Sequence, residues 1–118
     1  MKKYYRLFVA DNLWDGEGWS VNDLYEQPFI LAIPEEAEKD DILAALKKDG
    51  LLRKRLRYDV EDLGDDDLLI YYLTDFQCVL NLRVIQEEDL EREKGYRYGI
   101  MGQPTRVINV KAKRGVKR

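Results

Sequence analysis

Alternating and continuously apolar runs along the chain predict a series of short strands. Residues 4–9 alternate and are rich in aromatic and branched side chains, whereas residues 29–33 form an apolar run that Pro34 ends. Five strands are predicted in this way, at residues 4–9, 29–33, 52–60, 68–73 and 78–85. A further pair is predicted at residues 96–101 and 105–110, which could join across the turn signal Gly102-Gln103-Pro104.

One helix is predicted at about residues 38–49. Acidic residues stand at its start and Lys47 and Lys48 in its last turn, as the helix dipole favours, and Gly50 supplies a left-handed cap. Its buried stripe is formed by Ile42, Leu43 and Leu46, with Ala45 beside them. The polar residues 86–94 predict at most a short exposed helix or turn.

These elements predict an α+β fold with a mainly antiparallel sheet of about five strands and one well-capped helix packed on one face. A chain of 118 residues, 45% of them apolar, has the size and the material for one buried core. We expect a single α+β domain over residues 1–104. Residues 105–118 are expected to form a last strand that runs into a basic, flexible tail.

Residues 10–23 are predicted as a loop that carries both tryptophans. The segment contains two Gly and five Asp or Asn, which is the composition of turns. We expect one tryptophan in the core and the other exposed, where Trp is a frequent hot-spot residue of interfaces. Trp14, Trp19 and Tyr25 are therefore the predicted partner-binding anchors, with the acidic turn at residues 62–67 as a rim.

Charge is divided unevenly along the chain. The last fifteen residues carry six basic side chains and no acid, so this tail has a net charge of +6 and the preceding 103 residues have −9. Lys111, Lys113 and Arg114 are its candidate contacts for nucleic acid or another anion. The tail could equally be a solvating terminus or fold back on the acidic body.

A second basic feature is the alternation of Arg53, Arg55 and Arg57 within the predicted strand 52–60. Three guanidinium groups on one strand face could contact phosphates. They could instead pair with the acids at residues 65–67 across the predicted hairpin. The sequence leaves both interpretations open.

The absence of histidine and the single Cys78 exclude most catalytic and metal-site designs. Ser-His-Asp and Cys-His triads and zinc sites with His or several Cys ligands cannot be built from these residues. The acidic turn lacks the ligand spacing of an EF-hand, and Gly16-Glu17-Gly18 is not a phosphate-binding motif. We expect no enzyme activity, catalytic residue, metal or cofactor, although a carboxylate-based reaction would still be chemically feasible.

No apolar run approaches the length of a membrane span, and the first residues lack the apolar core of a signal peptide. We therefore expect a cytoplasmic protein that has no contact with membranes.

Three segments carry a resemblance to known proteins: Gly18-Trp19-Ser20-Val21-Asn22-Asp23, Ala32-Ile33-Pro34, and Ile42-Leu43-Ala44-Ala45-Leu46-Lys47-Lys48-Asp49-Gly50-Leu51. Over about residues 4–75 the chain resembles small uncharacterised proteins of bacteriophages and other mobile elements. The resemblance implies an accessory protein of the host cytoplasm that binds a host macromolecule, such as a defence or regulatory factor that it could inhibit. It includes no catalytic motif and transfers no site residues.

The leading expectation is thus a non-enzymatic phage-type protein that binds a host protein. One alternative is a small nucleic-acid-binding protein that uses the three arginines and the tail, and another is a non-catalytic binder of an anion or nucleotide. A second copy of the chain is a further candidate partner, since strand edges can pair between molecules.

Overall fold

A computed structural model describes residues 2–14, 19–64, 67–74, 77–95 and 105–113, with backbone alone at residues 11–14, 19–23, 78 and 95. The strands are β1 Lys2–Trp14, β2 Trp19–Pro34, β3 Tyr58–Asp62, β4 Leu68–Tyr72, β5 Gln77–Ile85 and β6 Arg106–Asn109. The helices are α1 Lys39–Lys48, a short 3₁₀ helix Glu87–Asp89, and α2 Leu90–Gly95. None of these helices is long and apolar enough to cross a membrane.

The described strands form one six-stranded sheet in the order β3-β4-β5-β1-β2-β6. All neighbours are antiparallel except β2 and β6, which are parallel. The α+β class is confirmed. The described sheet is mixed and has six strands, where a mainly antiparallel sheet of about five is predicted, and its sixth strand β6 falls within the predicted strand at residues 105–110.

The predicted loop at residues 10–23 is wrong, because most of it belongs to a long hairpin. Strands β1 and β2 pair as far as Trp14 and Trp19, so only four residues connect them. Asp and Asn are unfavourable in isolated strands, but strand propensity is weak compared with the ladder that a partner strand supplies. The sequence signals therefore locate the turn but overestimate its length.

The hairpin contains an irregularity beside Pro28. Arg6 pairs with Ile30 and Phe8 pairs with Glu26, so β2 passes three residues where β1 passes one. Proline has no N–H to donate to a strand ladder, which is why it is found at such bulges. The interruption leaves the carbonyl groups of Gln27 and Phe29 in β2 to accept hydrogen bonds from the Arg6 guanidinium of β1.

Helix α1 confirms the predicted helix and its Gly50 cap, and the structure adds a cap at the start of the helix. The Glu38 N–H donates to Asp41 Oδ2 over 2.9 Å, and the two residues form a capping box. At the other end Gly50 has a φ of 79°, and its N–H donates to the Lys47 carbonyl over 3.0 Å. The helix therefore begins and ends where local signals predict.

The main core lies between α1 and one face of the sheet. Leu46 of α1 is fully buried there, beside side chains from all six strands. Its buried members from β1, β2, β4 and β5 are Tyr5, Leu7, Leu31, Ile33, Ile70, Leu80 and Leu82. Burial of about ten such side chains, each worth roughly 1.5–3 kcal/mol, is the main force that holds the helix on the sheet.

Strand β6 is part of this packed unit. Ile108 and the adjoining Val110 are buried in the core, and the Val110 N–H donates to the Ala32 carbonyl over 2.9 Å. The predicted last strand thus packs with the residues that precede position 104. The predicted strand 96–101 and the end of the tail, from Arg114, lie outside the described residues.

Helix α2 lies against the opposite face of the sheet. Successive residues of a strand point to opposite faces, so Arg6 points away from the core that holds Tyr5 and Leu7. The Arg6 side chain contacts Glu93 of α2, and Lys94 lies 5.6 Å above the Tyr4 ring. The short polar helix is thus confirmed, and the sheet carries a helix on each face.

Candidate binding surfaces

The described part of the hairpin exposes an apolar pair at its middle. Tyr25 is 54% exposed and lies opposite Val9, which is 38% exposed. Strand β6 pairs only with residues 29–32 of β2. Within the described residues, the outer edge of β2 from 19 to 27 therefore has no neighbouring strand.

The register also brings together the two tryptophan positions. Trp14 and Trp19 are directly opposite each other at the end of the hairpin, although their side chains lie outside the described part of the structure. Tyr25 lies six residues further along β2, which is about 20 Å in an extended strand. The three predicted anchors thus share one hairpin but form two separate positions on it.

The three predicted arginines do not line a strand. Residues 53–57 are a turn between α1 and β3, in which the Leu56 N–H donates to the Arg53 carbonyl over 3.3 Å. Leu52 is still part of the helix cap, because its N–H donates to the Leu46 carbonyl. The alternation at 52–57 thus arises without a strand, and the predicted arginine face is wrong.

This turn nevertheless forms a compact basic surface. Its five residues are all exposed, and four of them are cations, which we call the basic turn: Arg53, Lys54, Arg55 and Arg57. The Arg53 N–H donates to the Tyr58 hydroxyl over 3.0 Å, and Lys47 Nζ donates to the Lys54 carbonyl over 3.4 Å. These bonds fix the backbone of the turn and leave its charged groups facing solvent.

The predicted pairing of these arginines with the acidic turn is not found at Asp67. Asp62 pairs with Leu68 at the end of β3 remote from Tyr58, so Asp67 and the basic turn lie at opposite ends of this strand. Asp67 Oδ1 accepts from the Val84 N–H over 3.1 Å. Among the described residues, no carboxylate lies within 4 Å of a guanidinium group of Arg53, Arg55 or Arg57. Residues 65 and 66 lie outside the described part of the chain.

Lys111 and Lys113 lie in a groove between one flank of α1 and the segment 107–113. The groove has a volume of about 470 Å³, and Ala44 and Ala45 form its helical wall. Lys48 lines the same groove, which the sequence did not associate with the two tail lysines. Arg114, the third predicted tail contact, lies outside the described residues.

Two tyrosines near the basic turn, Tyr58 and Tyr71, have raised pKa values. Burial raises the pKa of Tyr58, opposed by the hydrogen bond from the Arg53 N–H. Burial also raises the pKa of Tyr71, and the neighbouring Asp59 carboxylate, whose Oδ2 accepts from the Tyr71 hydroxyl over 3.3 Å, raises it further. Both hydroxyl groups are therefore neutral donors or acceptors near neutral pH, with no nucleophilic character.

Within the described ranges, no group of three or more Cys, Asp or Glu side chains is placed to hold a metal ion. The buried charges that the sequence analysis missed serve packing instead. Arg6 is 4% exposed, and its guanidinium donates to Glu93 and to the carbonyls of Gln27 and Phe29. An arginine in the middle of an apolar strand was the signal available for this cluster.

No protein-family model, curated protein or solved structure matches this chain. The resemblance to phage proteins thus rests on sequence pattern alone. The hairpin, the basic turn and the groove are the candidate binding surfaces on which a function can be proposed.

Proposed function

We propose that this chain is a non-catalytic binding protein of bacteriophage type that binds a host protein through the β1–β2 hairpin. The observation that carries the proposal is the exposed pair of Tyr25 on β2 and Val9 on β1, beside the open outer edge of β2 at residues 19–27. Tyrosine offers a large apolar surface with a polar end and is enriched at interface hot spots. An open edge also offers main-chain groups to a partner.

The chemistry of the hairpin indicates what the partner surface should carry. Asp11 and Asp23 occupy opposite positions between the Tyr25 pair and the tryptophan pair. Both residues are acidic, and basic groups on a partner would be complementary to them. We therefore expect an apolar partner patch with basic residues at its rim. The proposal places this interaction in the host cytoplasm and assigns the chain no reaction, metal or cofactor.

The experiment is affinity capture from host extract with the whole chain and two sets of variants. Tyr25→Ser, alone and combined with Trp14→Ala and Trp19→Ala, should abolish capture of the same host protein. Leu63→Ser is the matched control, because Leu63 is an exposed apolar residue outside the hairpin. Binding of the captured protein is then measured with the two purified proteins. It should weaken far less with salt than binding of a polyanion would, because apolar contacts dominate. Capture that survives all hairpin variants would overturn the proposal.

A second candidate function is nucleic-acid binding through the basic turn. It is favoured by four exposed cations that have no carboxylate partner within the described residues. Arginine and lysine at this density can neutralise several phosphates, and each contact adds to the salt dependence of binding. The acidic sequence pI of about 5.1 argues against a general affinity for nucleic acid and confines the candidate surface to this turn and the tail.

This candidate is tested with labelled single- and double-stranded DNA and RNA across a salt series. The triple variant Arg53→Glu, Arg55→Glu and Arg57→Glu should lose binding. The control variant Lys2→Glu, Lys39→Glu and Arg92→Glu changes the net charge by the same amount at remote exposed sites. It should retain most of the nucleic-acid binding. Equal losses in both variants would show non-specific attraction. Saturation by a nucleoside triphosphate in place of the oligonucleotides would favour a small-anion site beside Arg57.

A further inference from the structure

The groove beside α1 combines a helix flank with the edge of a sheet. Its walls are Ala44 and Ala45 of α1 on one side and the segment 107–113, which begins within β6, on the other. Among the described strands β6 is an edge, because it pairs with β2 alone. A groove of this construction, with a strand edge beside a helix, can accept an extended peptide as an additional strand.

The hydrogen-bonding groups of β6 are arranged for such an addition. The Val110 N–H donates to Ala32 of β2, so the groups of Ile108 also point toward β2. Since backbone groups alternate in direction along a strand, those of Val107 and Asn109 point to the outer edge. Within the described residues no backbone group bonds to the N–H of Val107 or Asn109.

The side chains of the groove carry an uncompensated positive charge. Lys48, Lys111 and Lys113 are exposed, and none has a described carboxylate within 4 Å. The two acids of the groove are already engaged: Asp41 Oδ2 accepts the Glu38 N–H in the helix cap, and Asp49 pairs with Arg106. The free charges of the groove are thus three ammonium groups.

We propose that this groove binds an extended acidic peptide of a partner protein, which adds as a strand beside β6. Main-chain bonds to Val107 and Asn109 hold the peptide, and Lys48, Lys111 and Lys113 select its carboxylates. The small side chains of Ala44 and Ala45 leave room for its apolar residues. The site shares no residue with the hairpin surface and does not depend on that surface being functional.

Charge and the strand edge together distinguish an acidic peptide from a nucleic acid or a second copy of this chain as the occupant of the groove. Nucleic acid would use the lysines but not the outward N–H groups of a strand edge. A second copy of this chain could add its own edge strand, although its β6 would bring the same lysines into apposition. An acidic peptide uses both features of the groove.

The experiment measures binding of a fluorescent peptide of about eight residues with alternating Glu and Val, close to the usual strand length. A matched Lys and Val peptide and a single-stranded oligonucleotide serve as competing probes. The double variant Lys111→Glu and Lys113→Glu should weaken binding of the acidic peptide about tenfold or more. Asn109→Pro should weaken it similarly, because it removes the outward N–H without removing a bond to β2.

Asn109→Ala is the matched control, since it keeps the N–H and should bind the peptide normally. Circular dichroism of each variant checks that the fold is retained. Normal peptide binding by a folded Asn109→Pro protein would overturn the strand-addition proposal, even if the lysine variant lost binding. Absence of peptide binding at low salt, preference for the oligonucleotide, or a dimer of this chain that Asn109→Pro dissociates would also overturn it.

Discussion

The Arg6 guanidinium Nη2 lies 2.9 Å from Glu93 Oε1 and donates over the same distance to the Glu93 carbonyl, although 87 residues separate the two side chains. Arg6 is 4% exposed, and the Glu93 side chain is 20% exposed. The pair joins the central strand β1 to α2 on the second face of the sheet. It thereby holds α2 against that face.

Replacing Glu93 by Ala should lower the free energy of unfolding by about 2–3 kcal/mol, because a nearly buried guanidinium loses its closest carboxylate. Glu26, whose Oε2 lies 3.5 Å from Arg6 Nε, keeps the loss from being larger. Urea denaturation measures the change, with the exposed Glu87→Ala as control. A loss below about 0.5 kcal/mol would show that Glu26 alone satisfies the charge, as surface substitutions commonly cost no more than this.

Gly50→Ala should destabilise the protein by about 1 kcal/mol, because a φ of 79° is unfavourable for a residue with a Cβ atom. No atom lies within 4 Å of the position that this Cβ would occupy, so the cost comes from the backbone alone. Gly50→Asn should cost less, since Asn tolerates the left-handed conformation. Thermal unfolding of the two variants compares them directly, and equal losses would contradict this account.

Stability should fall as the pH rises above about 10, the ordinary pKa of tyrosine. The raised pKa values of Tyr58 and Tyr71 mean that the folded state keeps protons which the unfolded state has lost. Their contribution is complete below the unfolded pKa and is lost as the pH passes through the folded pKa. The double variant Tyr58→Phe and Tyr71→Phe should have a shallower alkaline decline in urea midpoint. An unchanged slope would assign the decline to other groups.

A chain that ends at Pro104 should lose about 4 kcal/mol of stability or fail to fold, because Ile108 and Val110 leave the core. A chain that ends at Lys113 keeps Ile108 and Val110 and should therefore retain their contribution to stability. Tests of the basic tail should therefore use the second truncation. Equal stability of the two truncated chains would show that β6 contributes little to the core.

Several elements could be read from local sequence because their determinants lie within a few residues. The capping box of Glu38 and Asp41 and the left-handed Gly50 both act within one or two helical turns, so α1 was predicted almost to the residue. The turn between β3 and β4 was also located correctly, because its acidic residues follow one another directly in the sequence. The candidate site was predicted less well. Tyr25 is exposed, whereas the arginines occupy a turn in place of a strand and the two tail lysines share a groove with Lys48.

The sequence by itself determined the α+β class, the capped helix α1, most strand positions and the concentration of basic residues at the end of the chain. Only the tertiary structure decided the long pairing of β1 with β2, the parallel placement of β6, and the contact of Arg6 with Glu93. Periodicity and caps are local, and they state which face of a segment is apolar. These local signals do not determine which other segment packs on that apolar face, because packing partners are set by contacts and hydrogen bonds between residues far apart in the chain.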